Sequence, residues 1–347
     1  YGEPRVIKKT NLRTLGRVII SPLKGLKITG EYTYNRITEY NRMYVNKYKY
    51  IGFNFTGLLN NVENSRYALT QGFTNYNAIN AFANYDFSIG KHDISIMGGY
   101  NQEESHKESL WSQRTDVLLE NLPSLSGSTG TASVTDSFDE YAIRGLFYRV
   151  NYTYDGKYMF EANGRYDGTS RFPKDSRFGF FPSFSAGWRI SEEPFYGALK
   201  NTVDNLKLRL SYGTLGNQQV GYYDYLQQIE TGKVLNYSFG DKEKASYAYE
   251  TAPNASDLTW ETVVTKNIGL DIGIFNNRLN ISADAYIRDT KDMLMPGKAL
   301  PSVYGAKSPN MNAADLRTKG WELVVAWNDR FNVMDKPFNY GVSFGIG

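Results

Sequence analysis

The stretch Leu146-Phe147-Tyr148-Arg149-Val150-Asn151-Tyr152-Thr153-Tyr154-Asp155-Gly156-Lys157-Tyr158-Met159-Phe160-Glu161-Ala162-Asn163-Gly164-Arg165-Tyr166 decides the fold. Its first nine residues alternate: Leu146, Tyr148, Val150, Tyr152 and Tyr154 share one face, and Phe147, Arg149, Asn151 and Thr153 the other. A period of two is a strand's period. Asp155-Gly156-Lys157 then reads as a tight hairpin turn. The partner resumes the alternation, with Tyr158, Phe160, Ala162, Gly164 and Tyr166 against Met159, Glu161, Asn163, Arg165 and Asp167. Each arm runs about nine to eleven residues, the length that a tilted strand needs to cross a bilayer.

The pattern repeats along the chain. Leu26, Ile28, Gly30, Tyr32 and Tyr34 form such a row, as do Ile94, Ile96, Gly98 and Tyr100, and Phe184, Ala186, Trp188 and Ile190. Further rows are Leu206 to Tyr212, Leu279 to Ile287 and Trp321 to Trp327, with weaker runs at 12–20, 77–87, 264–272 and 338–346. About twelve strands result. Their connections alternate: short at 21–25, 88–92, 155–157, 273–277 and 328–337, moderate at 191–205, and long at 38–75, 102–138, 168–179, 215–258 and 289–315. All long loops then leave from one end, as in outer-membrane barrels. Tyr34, Tyr100, Tyr166, Trp188 and Tyr212 near strand ends fit interfacial aromatic girdles.

Composition agrees. The 347 residues include 28 Tyr, 19 Phe and 32 Gly, which suits pleated surfaces and bends. With 39 basic against 36 acidic side chains there is no footprint of a nucleic-acid binder. The absence of Cys excludes disulfides, thiolate zinc sites and Cys nucleophiles. No run nears the eighteen apolar residues of a membrane helix. No G-x-S-x-G, H-E-x-x-H, P-loop or G-x-G-x-x-G occurs, so an enzyme is not expected. His92 falls in a short turn and His106 in a polar loop, both read as solvated. Asp136, Asp139 and Glu140 lack EF-hand spacing, and neither a metal nor a cofactor is expected.

If one face meets lipid, the other meets a lumen. That polar face carries Arg149, Glu161, Arg165, Asp167, Arg189, Lys207, Arg209, Glu261, Asp271, Asp284, Arg288 and Glu322, whose mixed signs can pair across strands. Gly168 suits a left-handed turn capped by Asp167, Pro182 a strand start, and 192–205 a helical turn. In the longest external loop Asn217 and Gln218 carry amides for sugar hydroxyls or for the loop's own backbone. Tyr222, Tyr223, Tyr225, Tyr237, Phe239, Tyr247 and Tyr249 offer flat faces for sugar rings or peptide side chains, or for packing of the loop itself.

Several runs resemble the barrel of SusC/RagA-type TonB-dependent outer-membrane transporters. They are Arg165-Tyr166-Asp167-Gly168-Thr169-Ser170-Arg171-Phe172, the segment from Arg177 to Phe195, and Leu206 to Gln218. Leu258-Thr259-Trp260-Glu261-Thr262, Asn267 to Asp271, Phe275 to Leu279 and Asp284-Ala285-Tyr286 follow in order. The resemblance implies a roughly 22-stranded barrel of which this all-β, antiparallel, up-and-down stretch is about twelve strands. It further implies a plug, a SusD-like surface lipoprotein, the TonB-ExbB-ExbD complex, and import of an oligosaccharide or peptide through the outer membrane. The chain opens at Tyr1 without Met and stops at Gly347 inside an alternating run. Residues 1–347 are therefore expected to be a part of the barrel domain, without plug, TonB box or closing strands. The alternatives are a self-contained smaller barrel acting as pore, adhesin or membrane hydrolase, and a soluble β-rich binding module.

Overall fold

A computed structural model describes residues 5–51, 58–62, 64–227, 229–238, 244–250, 255, 257–304, 308–334 and 336–347. Strands dominate: β1 (Val6–Leu23), β2 (Leu26–Val45), β3 (Tyr48–Ile51), β4 (Leu58–Val62), β5 (Arg66–Ile89), β6 (His92–Thr115), β7 (Ala132–Tyr154) and β8 (Tyr158–Thr169). The second half adds β9 (Phe178–Arg189), β10 (Val203–Asn217), β11 (Ile229–Ser238), β12 (Lys244–Glu250), β13 (Glu261–Ile274), β14 (Leu279–Pro296), β15 (Asn310–Val333) and β16 (Lys336–Ile346). Twelve of them form one sheet in the order β1-β2-β5-β6-β7-β8-β9-β10-β13-β14-β15-β16. The pairs β3-β4 and β11-β12 are separate ribbons inside two long connections. No described helix is long and apolar enough to cross a membrane.

The twelve expected strands correspond one to one with the sheet, but most run further than their alternating cores. β2 reaches Val45, β6 reaches Thr115, and β7 begins at Ala132, inside segments expected to be loop. Polar residues there occupy both faces, so the ladder continues without alternation. Pro182 lies inside β9, paired with Gly164. Gly168 is not in a left-handed turn: it pairs with Phe178 within the β8-β9 ladder, and that ring occupies the space a Cβ would need. His106 likewise belongs to β6 instead of a loop.

Short turns stay short. Asp155 and Gly156 have φ of 52° and 65°, the left-handed pair of a three-residue hairpin connection, 155–157, in which the Lys157 amide donates to the Tyr154 carbonyl at 2.9 Å. Only the 191–205 connection is larger, with 3-10 turns at Ile190–Glu192 and Pro194–Tyr196. Glu193 there accepts bonds from the Tyr158 hydroxyl at 2.6 Å and the Trp188 indole at 3.0 Å, tying the connection to the stacked Tyr158-Trp188 pair. These bonds hold the Glu193 carboxyl below its usual range, the one to Tyr158 contributing most.

The chain divides into two compact units. One comprises Tyr1–Val18, Glu31–Ile79 and Gln102–Ala142; its buried cluster is Tyr44, Tyr67 and Val117. Within it the Ser65 hydroxyl accepts the Val117 amide at 2.9 Å, and the Ser128 hydroxyl donates to the Ser124 carbonyl at 2.7 Å. The other comprises Ile19–Gly30, Asn80–Asn101 and Ile143–Gly347, and its cluster is Phe172, Phe181, Val220, Ala255, Leu258 and Trp260. Neither cluster lies under the regular alternating strands. Leu146, Phe160, Tyr166, Leu210, Ile268 and Trp321 of the apolar face are all exposed, so that face has no protein layer over it among the described residues.

Candidate functional site: a charged inner wall and a packed loop frame

Register places the polar side chains. Pairing runs Met159↔Gly187, Gly187↔Arg209, Arg209↔Gly269, Gly269↔Asp284 and Asp284↔Glu322, one row across six strands. Arg209 on β10 lies beside Gly269, which has no side chain, and its guanidinium reaches over that gap. Nε and Nη2 donate to both oxygens of Asp271 at 2.8 and 2.9 Å, while Nη1 and Nη2 donate to Asp284 at 3.1 and 3.0 Å. Ser282 donates to Asp271 at 2.8 Å and Asn267 to Asp284 at 3.1 Å. A Cβ on Gly269 would lie 2.7 Å from the Arg209 Cζ. One cation thus fastens β10, β13 and β14 through a bidentate geometry that Lys lacks.

A recess of about 370 Å³ opens beside this network, lined by Lys207, Arg209, Glu161, Asn151, Ser185 and Gly187, the last of which puts no side chain into it. Glu161 accepts the Asn163 amide at 2.7 Å. Arg165 and Asp167, two apart on β8, form a two-bonded ion pair at 2.8 Å, and the Arg165 guanidinium lies 5.5 Å over Phe147. Arg288 stacks at 5.6 Å on Tyr286. Arg149 pairs with Asn163 and Arg189 with Lys207, on the same face. The structure therefore unites Arg209, Asp271 and Asp284, and spreads Arg149, Arg189 and Arg288 along the wall. Ser282 and Asn267 complete the network. Their signal in the sequence was their polar-face position alone.

The external-loop residues separate into frame and surface. Phe172 and Leu258 are fully buried, Trp260 packs edge-on against Phe172 and Phe181 at 5.4 and 5.1 Å, and its indole donates to the Arg177 carbonyl at 2.9 Å. Arg171 donates to the Val220 carbonyl at 2.9 Å and lies 4.7 Å over the Tyr222 ring. Asn217 donates to Glu261 at 3.2 Å and accepts the Gln219 amide at 3.0 Å, so its amide serves the loop backbone. The Gln218 carbonyl accepts the Val220 amide at 2.8 Å. Asn312 joins Thr259 and Asp292, and Asp224 joins Gly221 and Asn310. Tyr223 meets Tyr222 edge-on, Tyr225 is half-buried, and Tyr247 and Tyr249 lie 5.6 Å apart on β12, with the Tyr249 hydroxyl on Glu230. Tyr237 is on β11 with its side chain outside the described residues, as is Phe239 altogether.

The family described as TonB dependent receptor-like, beta-barrel matches residues 13–346. The TonB-dependent receptor P3 of Formosa agariphila is 31% identical over 76% of this chain and 26% of its own length. The TonB-dependent receptor SusC of Bacteroides thetaiotaomicron is 31% identical over 77% of this chain, again 26% of its own. The chain thus spans about a quarter of these relatives. The RagAB peptide transporter shares the fold with a TM-score of 0.82 over 98% of this chain and 37% of that one, at 24% identity.

Proposed function

Because the chain belongs to the TonB-dependent receptor-like β-barrel family, whose members sit in the bacterial outer membrane, we propose that it forms part of the wall of an active importer for a large oligosaccharide or peptide. In this reading residues 1–347 are one part of a barrel domain. A plug and TonB box elsewhere in the longer protein couple it to TonB-ExbB-ExbD, and a SusD-like lipoprotein closes the outside. The 26% share of the relatives supports that division. Family membership supports this reading over the self-contained pore, adhesin or hydrolase and over the soluble module.

The observation that carries the proposal is the loop frame. Phe172, Leu258 and Trp260 lie in the same runs that resemble SusC/RagA barrels, and they lock the external connections into a fixed mouth. On that mouth Tyr223, Tyr225, Tyr247 and Tyr249 serve capture, while Asn217, Gln218 and Tyr222 hold the loop. Aromatic faces contribute about 0.5–1.5 kcal/mol each beyond area burial, so Tyr223→Ala with Tyr247→Ala weakens capture roughly tenfold. Inside, Glu161, Arg149, Arg165, Arg189 and Arg288 keep the passage polar.

Uptake of labelled oligosaccharides and peptides by cells carrying the full protein, with and without TonB, tests the reading. Uptake that vanishes without TonB is expected. Equal uptake in both strains would reject active import.

A further inference from the structure

A hollow of about 670 Å³ lies on the apolar face, within the 300–1,000 Å³ or so of sites that hold small molecules. Two adjacent cross-strand rows make it. The first runs Phe160, Ala186, Leu210, Ile268 and Ala285 across β8, β9, β10, β13 and β14. The second runs Phe184, Tyr212, Lys266, Ile287 and Lys319 from β9 to β15. Ala186 and Ala285 are too short to fill the space between the larger side chains, which leaves a furrow along the strands.

Its chemistry is split by height. The lower row is wholly apolar, whereas Lys266 and Lys319 flank Ile287 at the external rim, both exposed. A lysine facing lipid costs about 2–4 kcal/mol at the bilayer midplane and near nothing at the interface. Lys266 stands eight residues from Ile274, the end of β13 (274 − 266), roughly 27 Å of strand and about 19 Å of rise at a tilt of about 45°. That is about three quarters of the way up an apolar band about 25 Å tall, from where a long lysine side chain can extend its ammonium group to the headgroup layer. Asp289 is held through both oxygens by Arg317 and also lies within electrostatic reach of Lys266 and Lys291, while Asp315 accepts the Asp292 amide, so the cations Lys266, Lys319, Arg317 and Lys291 outnumber the carboxylates on this stretch of the face.

The geometry points to a binding site for one membrane lipid whose phosphate headgroup is net anionic, its acyl chain in the furrow and its phosphate between Lys266 and Lys319. The furrow is continuous with the lipid-facing surface, and the two lysines supply the opposite charge at headgroup height. A zwitterionic lipid of the same chains fills the furrow but gains less from the rim.

Native mass spectrometry of the full protein released from detergent, offered phosphatidylglycerol or phosphatidylcholine with matched acyl chains, tests this. The intact protein is expected to retain at least threefold more phosphatidylglycerol. Lys266→Gln with Lys319→Gln brings the ratio near one, Lys266→Arg with Lys319→Arg preserves it, and Ala186→Leu with Ala285→Leu lowers retention of both lipids. An unchanged preference in the glutamine variant overturns the site. So does binding of inorganic phosphate at these lysines without retained lipid, or a photocrosslinker at Ala285 that captures a protein instead of lipid.

Discussion

Gly269 and Arg209 act as one device at the residue scale. The missing Cβ lets the guanidinium reach Asp284 two strands away while still gripping Asp271. Removing one partner of a sealed ion pair costs about 3–5 kcal/mol, but exposed pairs contribute under about 1. Arg209 is 34% exposed, so Arg209→Ala is expected to lower unfolding stability by about 1–2 kcal/mol. Gly269→Ala acts through the same bonds, so the double variant is no worse than Arg209→Ala alone, a coupling that urea unfolding in micelles measures. Arg209→Lys keeps the charge and loses the fork, and is expected to fall close to the alanine variant.

At the scale of elements, the long connections and the strand ends beside them hold the buried clusters, and the strands hold the ladders. Leu258→Ala or Phe172→Ala empties a fully buried site and costs about 2–5 kcal/mol locally. The expected result is faster proteolysis within residues 218–258, with β8, β9 and β10 still protected from hydrogen exchange; equal loss of protection in those strands would contradict the division. The extended part of β6 has its own clasp. His106 stands fourteen residues beyond His92 (106 − 92), about 46 Å of strand, past the apolar band. Its Nδ1 lies 2.6 Å from Glu140 and its Nε2 2.7 Å from Glu108, so both bonds form only when both nitrogens carry protons. Glu140 first, then Glu108, raise its pKa above the usual 6.5. The clasp is therefore complete below about pH 6.5 and is lost as pH rises through the raised value. Hydrogen-exchange protection around residues 104–110 is expected to fall as pH rises above the usual histidine value, and His106→Gln flattens that dependence.

The same division explains what the sequence disclosed. Alternation needs one apolar side, so Leu146 to Tyr166 was legible where lipid meets the strand. The polar ends of β2, β6 and β7 were not, because water on both sides leaves no pattern. Phe172, Leu258 and Trp260 stood in quoted motifs, yet their meeting depends on two separate loops, which no local period encodes. Asp271 and Asp284 showed as polar-face residues and as members of quoted runs; their union with Arg209 depends on register across the gap at Gly269. Gly168 misled for a related reason: a glycine before a loop suggests a turn, whereas here it makes room for the Phe178 ring.

For the whole molecule, the decisive property is that adjacent positions on one strand meet different solvents. Leu210 pairs with Ile268 on the apolar face, and the next residue, Ser211, pairs with Asn267 on the polar one. Ile268 is 50% exposed and stands six residues from the end of β13 (274 − 268), about 14 Å of rise and so near the middle of the apolar band. Arginine there must leave water for hydrocarbon, a cost of about 2–4 kcal/mol. The same side chain at Ser211 stays in a hydrated lumen, in one row with Ser185 and Glu161, and is expected to change stability by less than about 1 kcal/mol. Folding of the full protein into vesicles, read as the heat-modifiable band on a gel across a urea series, compares Ile268→Arg with Ser211→Arg. A large loss for the first and a small one for the second is the outcome required of a lipid-facing wall. Equal losses would mean that protein covers both faces of these strands, and equal tolerance would mean that water does.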